Sequence, residues 1–330
     1  MPFECIEYCI CVSLSACSHS FLSQLYASAF GSQFDTDPKR QRLFSGVLLQ
    51  AATLVELITP LFPSLFLPLA SLSTVGKNVS WLAASATRAQ LHLQLVKQRH
   101  NVGDVTARAG AQSTAAGLLG TALGAALSTV VGSSTWPVLC AYAPLAVGSL
   151  VMLHLSNRAV VLASVDRPRA DVVLEHWLEN GRGMAHVLSP LQVAQTERIF
   201  APTPPGARVL VNPPLEGHVD EKVERAFGQS AFGAKERYYL AADARSVRLW
   251  TDEAASDDDV LKGYVHAALV RRAMIEGVAP DDAVAKAHKI VVSEFEGLRE
   301  KMESSGWDTR LVSLASMDHA VRVESRDEHK

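Results

Sequence analysis

Two short polar stretches hold the residues of this chain best placed to do chemistry. The first, Asp35, Asp37, Lys39, Arg40 and Arg42, alternates acid and base around Pro38. Alternating charge at a turn can seat a phosphate beside exposed backbone N–H groups, or dock a partner. The same acids serve equally to cap the helix that follows and to pair with the neighbouring cations. The second stretch, Asn101, Asp104, Thr106, Arg108 and Gln112, sits at the mouth of a long apolar run. Polar groups at such an edge must find partners whether or not they hold a ligand, so a binding loop and a purely structural patch both fit. Arg88 lies on a largely apolar segment. Because only four acids fall between residues 8 and 165, Asp35, Glu56 and Asp104 are its natural candidates for pairing.

The elements that must position these groups are mostly apolar. Ala109 to Asn157 contains no Asp, Glu, Lys or Arg, although 20% of the chain is charged. The run divides at Gly132-Ser133-Ser134-Thr135 into two arms, Ser113 to Gly132 and Trp136 to Leu155, each about the twenty residues that a bilayer-spanning helix needs. A helical hairpin is expected, with Arg108 before it and Arg158, Arg167 and Arg169 after it on one membrane face. The positive-inside tendency makes that face cytosolic. Gly120 and Gly124 form a GxxxG ridge with Gly117 nearby, a weak signal in so Gly- and Ala-rich a segment. Upstream, Leu43 to Ile58 has helical spacing and is interrupted by Pro60, Pro63 and Pro68, which predicts a bent or re-entrant segment. Val75 to Gln98 predicts an amphipathic helix, followed by a polar turn from His100 to Asp104.

The charge balance changes sign along the chain: residues 1–165 carry nine Lys/Arg and six Asp/Glu, and residues 166–330 carry twenty-two and twenty-eight. The back half therefore has the charge density of an aqueous domain, and no basic cluster points to nucleic acid. Beyond the proline-rich stretch Pro202 to Pro214, Tyr238 to Ala241 and Val247 to Trp250 read as strands. Asp257 to Asp259 and Pro280-Asp281-Asp282 open two helices, the second ending near Gly306 with Val284, Val291, Phe295, Leu298 and Met302 as its core stripe. Arg310 to Leu314 adds a possible strand.

Cys5, Cys9, Cys11 and Cys17 lack histidines at ligand spacing, and no metal site is expected. No Lys or Arg precedes Lys39, so no signal or transit peptide is expected. There is no Gly-x-Ser-x-Gly elbow, Walker loop, dinucleotide fingerprint or His-Glu-x-x-His, which removes support for the common enzyme classes.

Read in order, Phe34-Asp35-Thr36-Asp37-Pro38-Lys39, Thr59-Pro60-Leu61-Phe62-Pro63, Ala86-Thr87-Arg88-Ala89 and Asn101-Val102-Gly103-Asp104-Val105 resemble the root UVB-sensitive (RUS) family. The resemblance runs from Phe21 to Asp171. It continues more loosely through Val260-Leu261-Lys262-Gly263-Tyr264-Val265-His266-Ala267 and Gly306-Trp307-Asp308. It implies a link to ultraviolet-B sensing, seedling growth, auxin transport and vitamin B6 balance, without an established reaction. Residues 1–20 match nothing in the family, so a shortened N-terminus is expected. Ala109 and Ala111 replace an acid and a hydroxyl usual in the family, which would weaken any binding by that loop.

The fold expected is mainly α, an apolar, membrane-associated helical core domain followed by a small α+β C-terminal domain. Its parts are an unmatched segment 1–20, the core 21–171, a connecting segment 172–215 and the C-terminal domain 216–330. The function expected is non-enzymatic, supporting vitamin B6 or metabolite homeostasis, or UV-B-related signalling, as a carrier, scaffold or partner-binding subunit. Expected partners are the lipid bilayer and another RUS-family protein or a second copy. No cofactor is expected, and the vitamin B6 link is read as indirect, because only Lys39, Lys77 and Lys97 fall in the core and no phosphate-cradling fold is evident. The alternatives are a soluble regulatory protein whose apolar helices form a buried core or oligomer interface and, more weakly, a pyridoxal-phosphate binder or enzyme.

Overall fold

The computed structural model describes residues 37–95, 102–132, 134–181, 186–196, 205–214, 236–314 and 320. They form eight α-helices and five strands arranged in two units, Pro38–Val160 and, from Val161 onward, a second. The fold is mainly α, with an apolar helical unit followed by a small α+β unit.

The first unit begins with α1, Pro38–Ile58. Pro60 and Pro63 end it because neither has an N–H to continue the ladder, and two 3₁₀ turns, Thr59–Leu61 and Pro63–Leu65, reverse the chain. The bend expected from the prolines is therefore present, as the turn of a helical hairpin. Its second helix, α2, runs Phe66–Leu95 and starts well before the expected Val75. Pro68 lies in the first turn of α2, where its missing N–H would have had no partner.

Small residues let α1 and α2 approach closely. A Cβ on Gly76 would sit 3.0 Å from Ala52 Cβ, Ala83 is fully buried, and Ser80 Oγ donates to the Ser45 carbonyl at 2.6 Å. This is the packing that serves helices lacking a hydrophobic driving force between them.

Helices α3, Val102–Val131, and α4, Thr135–Ala159, are the expected hairpin, broken at Gly132 in the left-handed region. Both extend beyond the charge-free run. Asp104 belongs to the first turn of α3 rather than to the expected polar turn, since an acid there suits the helix dipole. Helix α4 lies antiparallel to α1: Gly46 faces Leu153, Tyr142 Oη donates to the Gln50 carbonyl at 2.6 Å, and Asn157 Nδ2 donates to the Lys39 carbonyl at 3.2 Å. Helix α3 buries none of its residues, and Gly117, Gly120 and Gly124 face open space. Three helices, α1 with its following turn, α3 and α4, are long and apolar enough to cross a membrane.

In the second unit, β1 (Ser164–Asp166) pairs in parallel with β5 (Asp308–Ser313). A three-stranded sheet has the order β2-β4-β3, with β2 (Arg208–Val211) parallel and β3 (Tyr238–Ala242) antiparallel to β4 (Ser246–Thr251). Helix α5, Arg167–Glu179, and the short α6, Pro190–Thr196, precede β2. Helix α7, Asp257–Ile275, is the central element, with twelve buried residues. A Cβ on its Gly263 would press on Leu249 and Tyr238 at 3.0 Å. Ser256 is its N-cap and Asp259 completes a capping box; of the three acids expected to cap, only Asp259 does so, and Asp257 and Asp258 lie in the first turn. Helix α8, Pro280–Ser304, closes the core with Ala283, Ala287, Val291, Phe295, Leu298 and Met302. The stretch read as a connector also packs here, through Val173, Leu174, Trp177 and Val211.

Candidate functional site

The antiparallel arrangement of the first unit brings the start of α1, the end of α2, the start of α3 and the end of α4 to one end of the bundle. Nearly all its charge collects there. Lys39 is buried, and its carbonyl is held by Asn157, beside the exposed Arg158. Arg40 points outward. Arg42 reaches across to α2, where its Nη1 donates to the Ala84 carbonyl at 3.1 Å. Arg88, one turn further along α2, is exposed. Asp104 and Arg108 form an i,i+4 ion pair at 3.0 Å in which both side chains are mostly exposed, an arrangement that contributes little stability. Thr106 Oγ1 lies 3.5 Å from His92 Nδ1, joining α3 to α2, and Gln112 is exposed. Asp37 directly precedes α1, while Asp35 and Asn101 lie outside the described residues. The opposite end, 59–66 and 128–136, carries no charged residue.

The structure thus gathers the cations of both sequence stretches at one end and engages two of the three acids expected for Arg88 elsewhere, the third, Asp35, lying outside the described residues. Glu56 pairs with Lys77, and Asp104 with Arg108. The hairpin register fixed by Ala52 against Gly76 seats the Arg42 guanidinium on the Ala84 carbonyl, one helical turn before Arg88.

The second unit contains three polar groups whose pairing the sequence did not announce, and it buries Arg169, expected with Arg167 on a membrane face, while Arg167 bonds the Leu314 carbonyl. Asp166 and Arg169 pair at 2.8 Å with both side chains 2% exposed, and Arg169 Nη1 also donates to the Ser164 carbonyl at 2.6 Å. Asp171 accepts from Tyr264 Oη at 3.1 Å and from Arg271 Nη2 at 3.2 Å. Burial raises the Asp171 carboxyl above its ordinary value against the pull of Arg271, and it raises the Tyr264 phenol as well. His266, fully buried, lies 3.0 Å from the Val284 carbonyl through Nε2 and 3.3 Å from Tyr238 Oη through Nδ1. Desolvation lowers it to about 4, helped by the charges of His288 and Lys262. His288, its ring 5.5 Å away, is lowered by the same cause. A signal was available in the sequence: Asp166-Arg167-Pro168-Arg169 has the spacing of an N-capped helix opening on a proline. Nothing local foretold the burial of the pair or of His266. Among the described residues, no three of His, Cys, Asp and Glu come together as a metal site.

An apolar helical bundle charged at one end, followed by an α+β unit with buried ion pairs, defines the class of protein. The family model described as the vitamin B6 photo-protection and homoeostasis domain matches residues 17–181. The chain belongs to that family, the root UVB-sensitive proteins. It is 26% identical over 296 residues to root UVB sensitive 3 of Arabidopsis thaliana, covering 86% of this chain and 66% of that protein. It is 27% identical over 302 residues to root UVB sensitive 2, chloroplastic, of the same plant, covering 87% and 66%. To RUS family member 1 of Dictyostelium discoideum it is 29% identical over 182 residues, covering 53% and 33%. The chain thus spans just under two thirds of the length of the first two relatives. No solved structure matches it.

Proposed function

We propose that this chain is a non-enzymatic membrane protein whose helical unit lies in a bilayer and whose α+β unit stands in water. It serves vitamin B6 or metabolite homeostasis as a carrier, scaffold or partner-binding subunit. One observation supports this reading above the others: α3 and α4 are of spanning length, and their large apolar side chains point away from the chain. Leu118, Leu119, Leu123, Val130, Trp136, Leu145 and Met152 are each at least 60% exposed. So large an apolar surface needs a cover, and lipid supplies one along the whole length of both helices. The cationic end faces the side from which the protein inserts. The polar contacts between α1 and α4, with Gln50 bonded to both Tyr142 and Ser149, would be strengthened by the absence of competing water.

The open glycine ridge of α3 favours a second reading, in which another RUS-family protein or a second copy covers that face, within the membrane or in solution. Alkaline carbonate extraction of membranes from cells expressing the tagged chain tests the proposal. Retention with an integral marker is expected. Release with a soluble marker would overturn the membrane reading and assign the apolar faces to a protein interface.

A further inference from the structure

We propose that Arg42 and Arg88 form a clamp for a phosphate group at the charged end of the helical unit. Two arginines share one stretch of α2 at the charged end of the α1–α2 hairpin. The Arg42 guanidinium rests on α2 through the Ala84 carbonyl, and Ala84 and Arg88 are one helical turn apart on the same face. Glu56 is taken by Lys77 and Asp104 by Arg108, so neither of these acids is given to the two arginines.

Arg42 uses one of its five N–H groups on Ala84, which leaves four, and Arg88 presents five more. Two guanidinium forks on neighbouring turns of one helix suit the oxygens of a phosphate, which accept paired N–H bonds. The hairpin that holds them is fixed by the Ser45–Ser80 and Ala52–Gly76 contacts, so the clamp is organised before any ligand arrives. The ligand is a phosphate ester with net negative charge. It comes either from an anionic phospholipid, whose headgroup lies at the depth of the first turns of α1 if the bundle spans a bilayer, or from a soluble phosphate monoester. Only the lipid source rests on the membrane reading.

Full-length protein in neutral detergent is titrated separately with phosphatidylglycerol, phosphatidylcholine and glycerol 3-phosphate, with adducts counted by native mass spectrometry. The expected result is a saturable adduct with phosphatidylglycerol, with glycerol 3-phosphate, or with both, and a weaker one with phosphatidylcholine. Phosphatidylglycerol alone identifies a headgroup site; displacement of it by glycerol 3-phosphate identifies a phosphate-ester site open to water. Arg88→Gln, at an exposed position that leaves the fold intact, should weaken the adduct about tenfold, the order for one charge-assisted pair. Arg42→Gln/Arg88→Gln should abolish it, and Arg108→Gln, at the same end but paired with Asp104, should leave it unchanged. Equal binding of phosphatidylglycerol and phosphatidylcholine, equal losses in Arg88→Gln and Arg108→Gln, or no adduct with any ligand would overturn the clamp. None of these results bears on carbonate extraction, so the membrane reading stands or falls separately.

Discussion

Acid should loosen the second unit through His266. Its ring is fully buried on α7, with Nε2 3.0 Å from the Val284 carbonyl of α8. A carbonyl can only accept, so Nε2 carries the proton and Nδ1 is left to accept from Tyr238 Oη at 3.3 Å. Both contacts are satisfied by the neutral ring. A second proton would displace the Tyr238 hydrogen and place a charge beside His288 and Lys262. The folded ring therefore titrates near 4, against an ordinary value of 6.5.

The sign follows from proton counts. Between those two values the unfolded chain binds the proton and the folded one does not, so stability rises with pH across that window. Above about pH 6.5 both states are neutral and the group is without effect. As pH falls to about 4 it removes roughly 3 kcal/mol, at no more than about 1.4 kcal/mol per pH unit. Hydrogen exchange of peptides from 257–275, measured in full-length protein from pH 7 to pH 4 and corrected for intrinsic rates, reads this locally. His266→Gln keeps a donor for the Val284 carbonyl but cannot titrate. Wild type should lose protection more steeply than His266→Gln below pH 6.5, whatever their relative stability at pH 7. Parallel profiles in the two proteins would refute the reasoning.

Two further outcomes follow from packing and buried charge. Gly46→Leu should destabilise the helical unit by about 1–3 kcal/mol through overpacking, measured as unfolding in mixed micelles, because even a Cβ there would come 2.2 Å from Leu153 Cδ2. Gly46→Ala should be milder, since that contact is the end of a side chain free to rotate. Arg271→Gln removes the ion pair of the partly buried Asp171, which keeps Tyr264 as a donor, and should cost about 1–3 kcal/mol in urea unfolding of the second unit, with Asp171→Asn/Arg271→Gln recovering part of the loss. Equal destabilisation in the single and double variants would argue against a buried charge as the cause.

The features visible in the sequence are those written locally. The α3–α4 hairpin shows because Gly132 and its serines punctuate a charge-free run, and β3 and β4 show through their apolar runs and the short polar turn between them. The helices still extend past the charge-free limits, since Asp104 and Arg108 pair along α3 and so do not end it. The β1 strand is only three residues long and exists through β5, far along the chain, so no periodicity could announce it. The trio Val173, Leu174 and Trp177 carried a helical stripe that the prolines downstream obscured. At the candidate site, residue types and the cationic character of Lys39 to Arg42 could be read directly. The approach of Arg42 to Ala84, one turn before Arg88, could not, because hairpin register decides it, and that register depends on contacts among small residues that carry no distinctive pattern.

If the helical unit spans a bilayer as proposed, the hairpin turn and the α3–α4 turn bear on how the chain would enter it. Whatever reaches the far side must pass through hydrocarbon during synthesis, and residues 59–66 and 128–136 carry no charge to drag across. Glu56 and Lys77 would then be the ionic groups that travel deepest, and they are bonded to each other. In that setting α1 would carry its one acid, Glu56, already paired with Lys77, and would leave its arginines behind as a stop. Separating Glu56 from Lys77 would burden biogenesis before it affected the finished fold.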